Sequence, residues 1–92
     1  MIDFEWDPDK ATGNESKHGV SFVEAATAFG DPLSVTIFDP DHSEIEDRFL
    51  LLGESAFGTL IVVSHTDRSG TIRIISARKA NRDERLQYES NN

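Results

Sequence analysis

The chain contains no cysteine, which removes a disulfide framework, a thiolate zinc site and a cysteine nucleophile from consideration. It also lacks any long apolar run and any N-terminal basic-then-apolar segment. Neither membrane spanning nor export is therefore expected, and a cytoplasmic location is the default. No internal repeat or low-complexity tract is present. Positive charge is scarce: nine Lys and Arg stand against seventeen Asp and Glu, for a formal net charge of −8, the reverse of what a nucleic-acid binder ordinarily carries. The three histidines, His18, His42 and His65, include no short-range pair such as H-x3-H, so their spacing supplies no metal site and no cofactor is expected.

What is present fits one small domain spanning residues 1–92, with 37% hydrophobic residues and apolar runs at Phe49–Leu52 and Leu60–Val63 that exclude a disordered chain. The charge is polarised. Residues 1–67 hold three basic residues against fourteen acids, a net of −11, whereas 68–92 hold six against three, a net of +3. Such a field suits a small basic site on an acidic body, or a basic partner docking on that body.

Local patterning predicts the order β-α-α-β-β-β-β-α. Ile2–Trp6 alternates apolar and acidic residues, as a half-buried strand does. Asp7-Pro8 opens a helix that runs to about His18 and stops at Gly19; its apolar face is thin. Ser21 and Glu24 form the sequence signature of a capping box, and Phe22, Ala25, Ala26 and Phe29 follow as one apolar stripe ended by Gly30-Asp31-Pro32. The period then becomes two. Leu33–Phe38, Arg48–Gly53, Leu60–Thr66 and Thr71–Ala77 read as strands, and their short connections favour an antiparallel meander. Asn81 and Glu84 repeat the capping logic for a last helix to about Glu89, after which Ser90-Asn91-Asn92 is expected to fray. The expected fold class is α+β, a mainly antiparallel twisted sheet covered by helices on one face.

Several phrases coincide, in order, with a known family. They are Phe4-Glu5-Trp6-Asp7-Pro8, Lys17-His18-Gly19-Val20-Ser21-Phe22, Asp31-Pro32, His42-Ser43 with Glu46 and Arg48, Gly53-Glu54-Ser55, Thr66 with Arg68, and Arg73-Ile74-Ile75-Ser76-Ala77-Arg78 with Glu84 and Tyr88. Over nearly its whole length the chain closely resembles the BrnT toxins of type II toxin–antitoxin systems. The resemblance implies a RelE-like fold and a ribonuclease that arrests translation. It also implies a hetero-oligomer with a BrnA-like antitoxin, through which alone the complex would reach operator DNA.

Metal-independent RNA cleavage needs a base for the ribose 2′-OH, a cationic clamp on the phosphate and an acid for the leaving 5′-oxygen. Arg68 and Arg78, which flank the last strand and lie on matching phrases, are the candidate clamp, arginine being suited to it by its planar fork; pairing with neighbouring carboxylates is the plainer role for each. His65 is the candidate acid–base group, since its unperturbed pKa suits neutral pH. By parity it shares the side of Ile61 and Val63, so a buried core histidine is the alternative. Lys17, His18, Arg48, Arg73 and Tyr88 are candidate RNA contacts. Lys17 and His18 equally serve as a helix C-cap, and Tyr88 equally pins the last helix. A second functional reading, drawn from the acidic body, keeps the toxin fold without the cutting, as a protein-interaction or co-repressor module.

Overall fold

The computed structural model describes residues 2–42 and 44–91. Ser43 of the His42-Ser43 phrase, and Asn92 of the expected fraying end, lie outside the described residues.

The helix starts follow the capping chemistry. β1 (Asp3–Glu5) leads into α1 (Pro8–His18), where the Asp7 carboxylate accepts from the Asp9 and Lys10 amides at 2.8 and 3.4 Å and Gly19 closes the helix at φ 71°. α2 (Phe22–Thr27) starts as the Ser21 hydroxyl accepts from the Glu24 amide at 3.0 Å. The expected return bond from the Glu24 side chain is replaced. That carboxylate is buried and accepts instead from the Ser55 hydroxyl at 2.8 Å, tying α2 to the turn that follows Glu54. The helix tightens at Ala28–Gly30 into a 3-10 turn that carries Phe29. α3 (Arg82–Ser90) has the full capping box between Asn81 and Glu84.

β2 (Val35–Asp39), β3 (Arg48–Glu54), β4 (Leu60–Arg68) and β5 (Thr71–Lys79) form the antiparallel meander. β1 completes the five-stranded sheet, in the order β1-β5-β4-β3-β2, by pairing in parallel with β5, so the sheet is mixed. At the β4–β5 turn Ser69 and Gly70 both take positive φ, 56° and 88°, the two-residue geometry whose twist matches antiparallel strands.

Alternation along the strands sends Leu51, Ile61, Val63, Ile74 and Ala77 to one face, where they bury against Val20, Phe22, Ala25 and Ala28. Here α1 and α2 supply the covering layer that the patterning predicts. Gly53 allows the close approach: a Cβ there would lie 3.1 Å from the Ala28 carbonyl oxygen. α3, by contrast, lies on the opposite face. The Ala80 amide bonds the Leu60 carbonyl at 3.0 Å, turning the chain over that side, and Tyr88 packs on Leu52, Leu60 and Val62. The helices thus occupy both faces, unequally. A short β1 leaves the outer edge of β5 bare beyond Arg73, and Asn14 of α1 fills it, its side-chain amide bonding both the N–H and the C=O of Ala77. No helix among the described residues is long and apolar enough to cross a membrane.

Candidate active site

On the face that carries α3, the sheet is bare at its other end. β2 finishes at Asp39, and the 3-10 turn Pro40–His42 folds back over it, with His42 Nδ1 2.8 Å from Asp39 Oδ2. Arg48 opens β3 directly opposite Asp39, and Arg68 ends β4 beside them. An open cleft of about 500 Å³ results, lined by Asp41, His42, Glu44, Ile45, Glu46, Arg48 and Arg68.

Arg68 grips Glu46 with two parallel bonds, Nε to Oε2 at 3.1 Å and Nη2 to Oε1 at 3.0 Å. This hydrogen-bonded pairing holds the Glu46 carboxyl below the usual carboxylate range and raises the Arg68 guanidinium above its own. Glu46 is therefore ionised at neutral pH, and the geometry that accommodates its carboxylate equally accommodates two oxygens of a phosphate. Register places Thr66 opposite Arg73 and Arg68 opposite Thr71, so the side chain of Arg73 emerges on the same face. Its Nη1 donates to Glu5 Oε2 on β1 at 2.7 Å. Arg48, Arg68 and Arg73 thus come from three adjacent strands.

The other residues singled out by sequence stand elsewhere. Arg78 lies inside β5 near its far end, whereas Arg68 ends β4 opposite Thr71, so the two stand roughly 20 Å apart at about 3.3 Å per residue, too far to share one phosphate. Arg78 forks onto Glu84, both bonds 2.8 Å, which raises the guanidinium's pKa, lowers that of the carboxyl and straps β5 to α3. His65 is 6% exposed. It sits on the covered face between the rings of Phe29 and Phe49, with centroids 4.8 and 6.0 Å away, and its Nδ1 lies 3.2 Å from the Val63 carbonyl. Burial lowers its pKa, favouring the neutral ring. The core alternative is what the structure shows, and His65 does not meet Arg68. Tyr88 donates to Asp31 Oδ2 at 2.6 Å; this bond, burial and the carboxylate charge push its pKa up to about 12. Lys17 and His18 end α1, near the Ala77 end of β5 and away from the cleft.

Two cleft residues escaped the sequence reading. In the sequence His42 and Glu46 stand out only through a shared family phrase, and His42 through a metal reading that its spacing rejects, although His42, Glu46 and Arg48 fall within seven positions. That local clustering of a base, an acid and a cation was the available signal.

The family model described as the ribonuclease toxin BrnT of type II toxin–antitoxin systems matches residues 6–84. The chain belongs to the BrnT family. All the cleft residues fall inside the matched span. Among solved structures the fold is similar to that of the Brucella abortus ribonuclease toxin BrnT, with a TM-score of 0.65 and 22% sequence identity over 89% of this chain and 100% of that one. No curated protein sequence matches. Membership in the BrnT family brings the family's description as a ribonuclease toxin, and with the type II system an antitoxin partner and an RNA target.

Proposed function

We propose that this chain is an endoribonuclease that cuts RNA without metal at the His42–Glu46–Arg48–Arg68 cleft, arrests translation in the cytoplasm, and is neutralised by a BrnA-like antitoxin that carries the complex to operator DNA. The observation that carries the reading is the convergence, on one open patch of sheet, of a carboxylate, an imidazole and two guanidiniums inside a family of ribonuclease toxins.

The chemistry assigns each group a step. Arg48 and Arg68 hold the two non-bridging oxygens of the scissile phosphate, where negative charge builds as the 2′-oxygen attacks. The incoming phosphate displaces Glu46 from the Arg68 fork, and the released carboxylate takes the 2′-OH proton. The bond from phosphorus to O5′ breaks, His42 delivers a proton to that oxygen, and the products are a 2′,3′-cyclic phosphate and a 5′-OH. Arg73 steadies the next phosphate along the strand.

Arg68→Ala is expected to lower cleavage of single-stranded RNA in EDTA at least roughly 100-fold, as loss of a charge-stabilising donor does, with the far-UV CD unchanged. Arg78→Ala should weaken the docking of α3 and spare the chemistry. Cleavage that survives Arg68→Ala would remove the site. A wild-type chain, freed of antitoxin, that cuts no RNA and is tolerated on induced expression would favour the interaction-module reading instead. Two observations speak for that reading: Arg68, Arg73 and Arg78 are each already engaged by a carboxylate, and the net charge is −8.

A further inference from the structure

On the same sheet face as the cleft, a shallow apolar groove runs between α3 and the free edge of the sheet, lined by Val35 and Ile37 of β2, Leu50 and Leu52 of β3, and Val62 of β4. Ile37, at the centre of the edge strand, is 50% exposed. α3 buries none of its own residues fully, and Tyr88 packs against the Leu52, Leu60 and Val62 cluster, which leaves Ile37 exposed and Val35 and Leu50 half-buried on the β2 side.

Three features define what fits there. The first is width: two strands at ~4.8 Å spacing make a strip ~10 Å wide, the breadth a packed helix needs. The second is charge. Glu54 stands exposed on this face at one end of the apolar row, by alternation from Leu52, while Asp39 at the other end is held by His42 and Glu84 on the α3 side by Arg78. The 67 residues that include β2 and β3 carry a net of −11. The third is continuity, since Arg48 lies two residues beyond Leu50 on the same face, ~7 Å away.

We infer that this groove seats an amphipathic helix of the antitoxin, with apolar anchors one turn apart and basic residues on its flanks, and that the end of this helix overhangs the cleft and so excludes RNA. The inference rests on the reading of the chain as an antitoxin-controlled toxin and identifies the surface through which that control acts. Apolar burial supplies the hold, and the acidic rim selects a basic partner and speeds encounter.

The test uses a BrnA-like antitoxin that neutralises the wild-type chain. Ile37→Lys is expected to leave RNA cleavage by the antitoxin-free chain at the wild-type rate, to weaken calorimetric binding of the antitoxin roughly 30-fold or more, the loss a central anchor shows, and to abolish protection of RNA in the mixture. Ile37→Asp should bind better than Ile37→Lys, because the flanks of the partner are basic. Val23→Lys, at a position 63% exposed on α2, should bind as wild type. Unchanged affinity in both Ile37 variants, or an equal loss in Val23→Lys, overturns the inference. Strong protection from exchange of the β2 amides not bonded to β3 would mean an added strand rather than a helix, and would overturn it too. So would a wild-type dimer that Ile37→Lys splits without altering antitoxin affinity, since the occupant would then be a second copy. If the wild-type chain cuts no RNA but Ile37→Lys still loses the antitoxin, the nuclease reading fails and the docking surface stands.

Discussion

Replacing Asn14 with alanine should cost about 3 kcal/mol, and the structure shows where each part arises. The side-chain amide donates to the Val20 carbonyl at 2.9 Å and to the Ala77 carbonyl at 2.8 Å, and it accepts from the Ala77 amide at 3.0 Å. Ala77 is buried in the core, so truncation leaves its N–H without a partner, at about 1–3 kcal/mol. The two carbonyls lose less, roughly 0.5 kcal/mol each at the low end of a hydrogen bond's net worth. A domain of this length is stable by roughly 5–14 kcal/mol, so the fold should survive with its melting temperature lowered by roughly 12–24 °C. Urea unfolding followed by far-UV CD measures the loss. Asn14→Asp sharpens the point: at pH 7 the carboxylate can still accept from the Ala77 amide, but it meets two carbonyl oxygens with no proton to offer. It should be no more stable than the alanine variant at neutral pH, and should recover part of the deficit on acidification, when the carboxyl protonates and can donate. A loss below about 1 kcal/mol in Asn14→Ala, or an Asn14→Asp variant equal to wild type at pH 7, would refute the view that this amide stands in for a missing strand.

Two further expectations concern pH. The hydroxyl of Tyr88 donates to Asp31, which raises its folded pKa to about 12, above ~10 for an unfolded tyrosine; its stabilisation is therefore complete below pH ~10 and is lost as pH rises toward 12. Tyr88→Phe should flatten that alkaline slope and cost about 1 kcal/mol at neutral pH, the size of a part-exposed hydrogen bond; an unchanged slope would show that the bond does not form. Burial lowers the pKa of His65, so its contribution is present above the unfolded value of ~6.5 and is lost as pH falls through the lower folded value. Its ring-proton NMR signal should titrate with a midpoint below ~6.5, and a midpoint at or above ~6.5 would place the ring in water rather than between Phe29 and Phe49.

Much of the fold was legible because its signals are local. Asp7-Pro8, Ser21 and Asn81 each begin a helix through amides no more than three residues away, and the short turns on either side of β4 leave that part of the meander little choice. The alternation that buries Leu51, Ile61 and Val63 is equally a property of neighbours. Less legible were the consequences of pairing. Ile74 and Ala77 are an odd number apart yet share the core, as Arg73 and Arg78 share the other face, because a register shift between Ser64 and His65 absorbs one residue of β5. Strict parity along the strand would have separated each pair.

The site shows the same division. Residue type and phrase identified Arg48, Arg68 and Arg73 as cations worth following, and the family could be read from the chain alone. Which of them meet depends on strand register and on how the β2–β3 loop folds back, contacts between residues twenty or more positions apart that no local pattern encodes, such as Arg68 with Glu46. Tertiary structure set Arg78 at the far end of β5, sealed His65 between two rings and brought His42 and Glu46 to the cleft instead. Sequence by itself determined the elements, their order and the chemistry in stock. Only packing decided which face each side chain occupies, because a single slip of register exchanges core for surface along a whole strand.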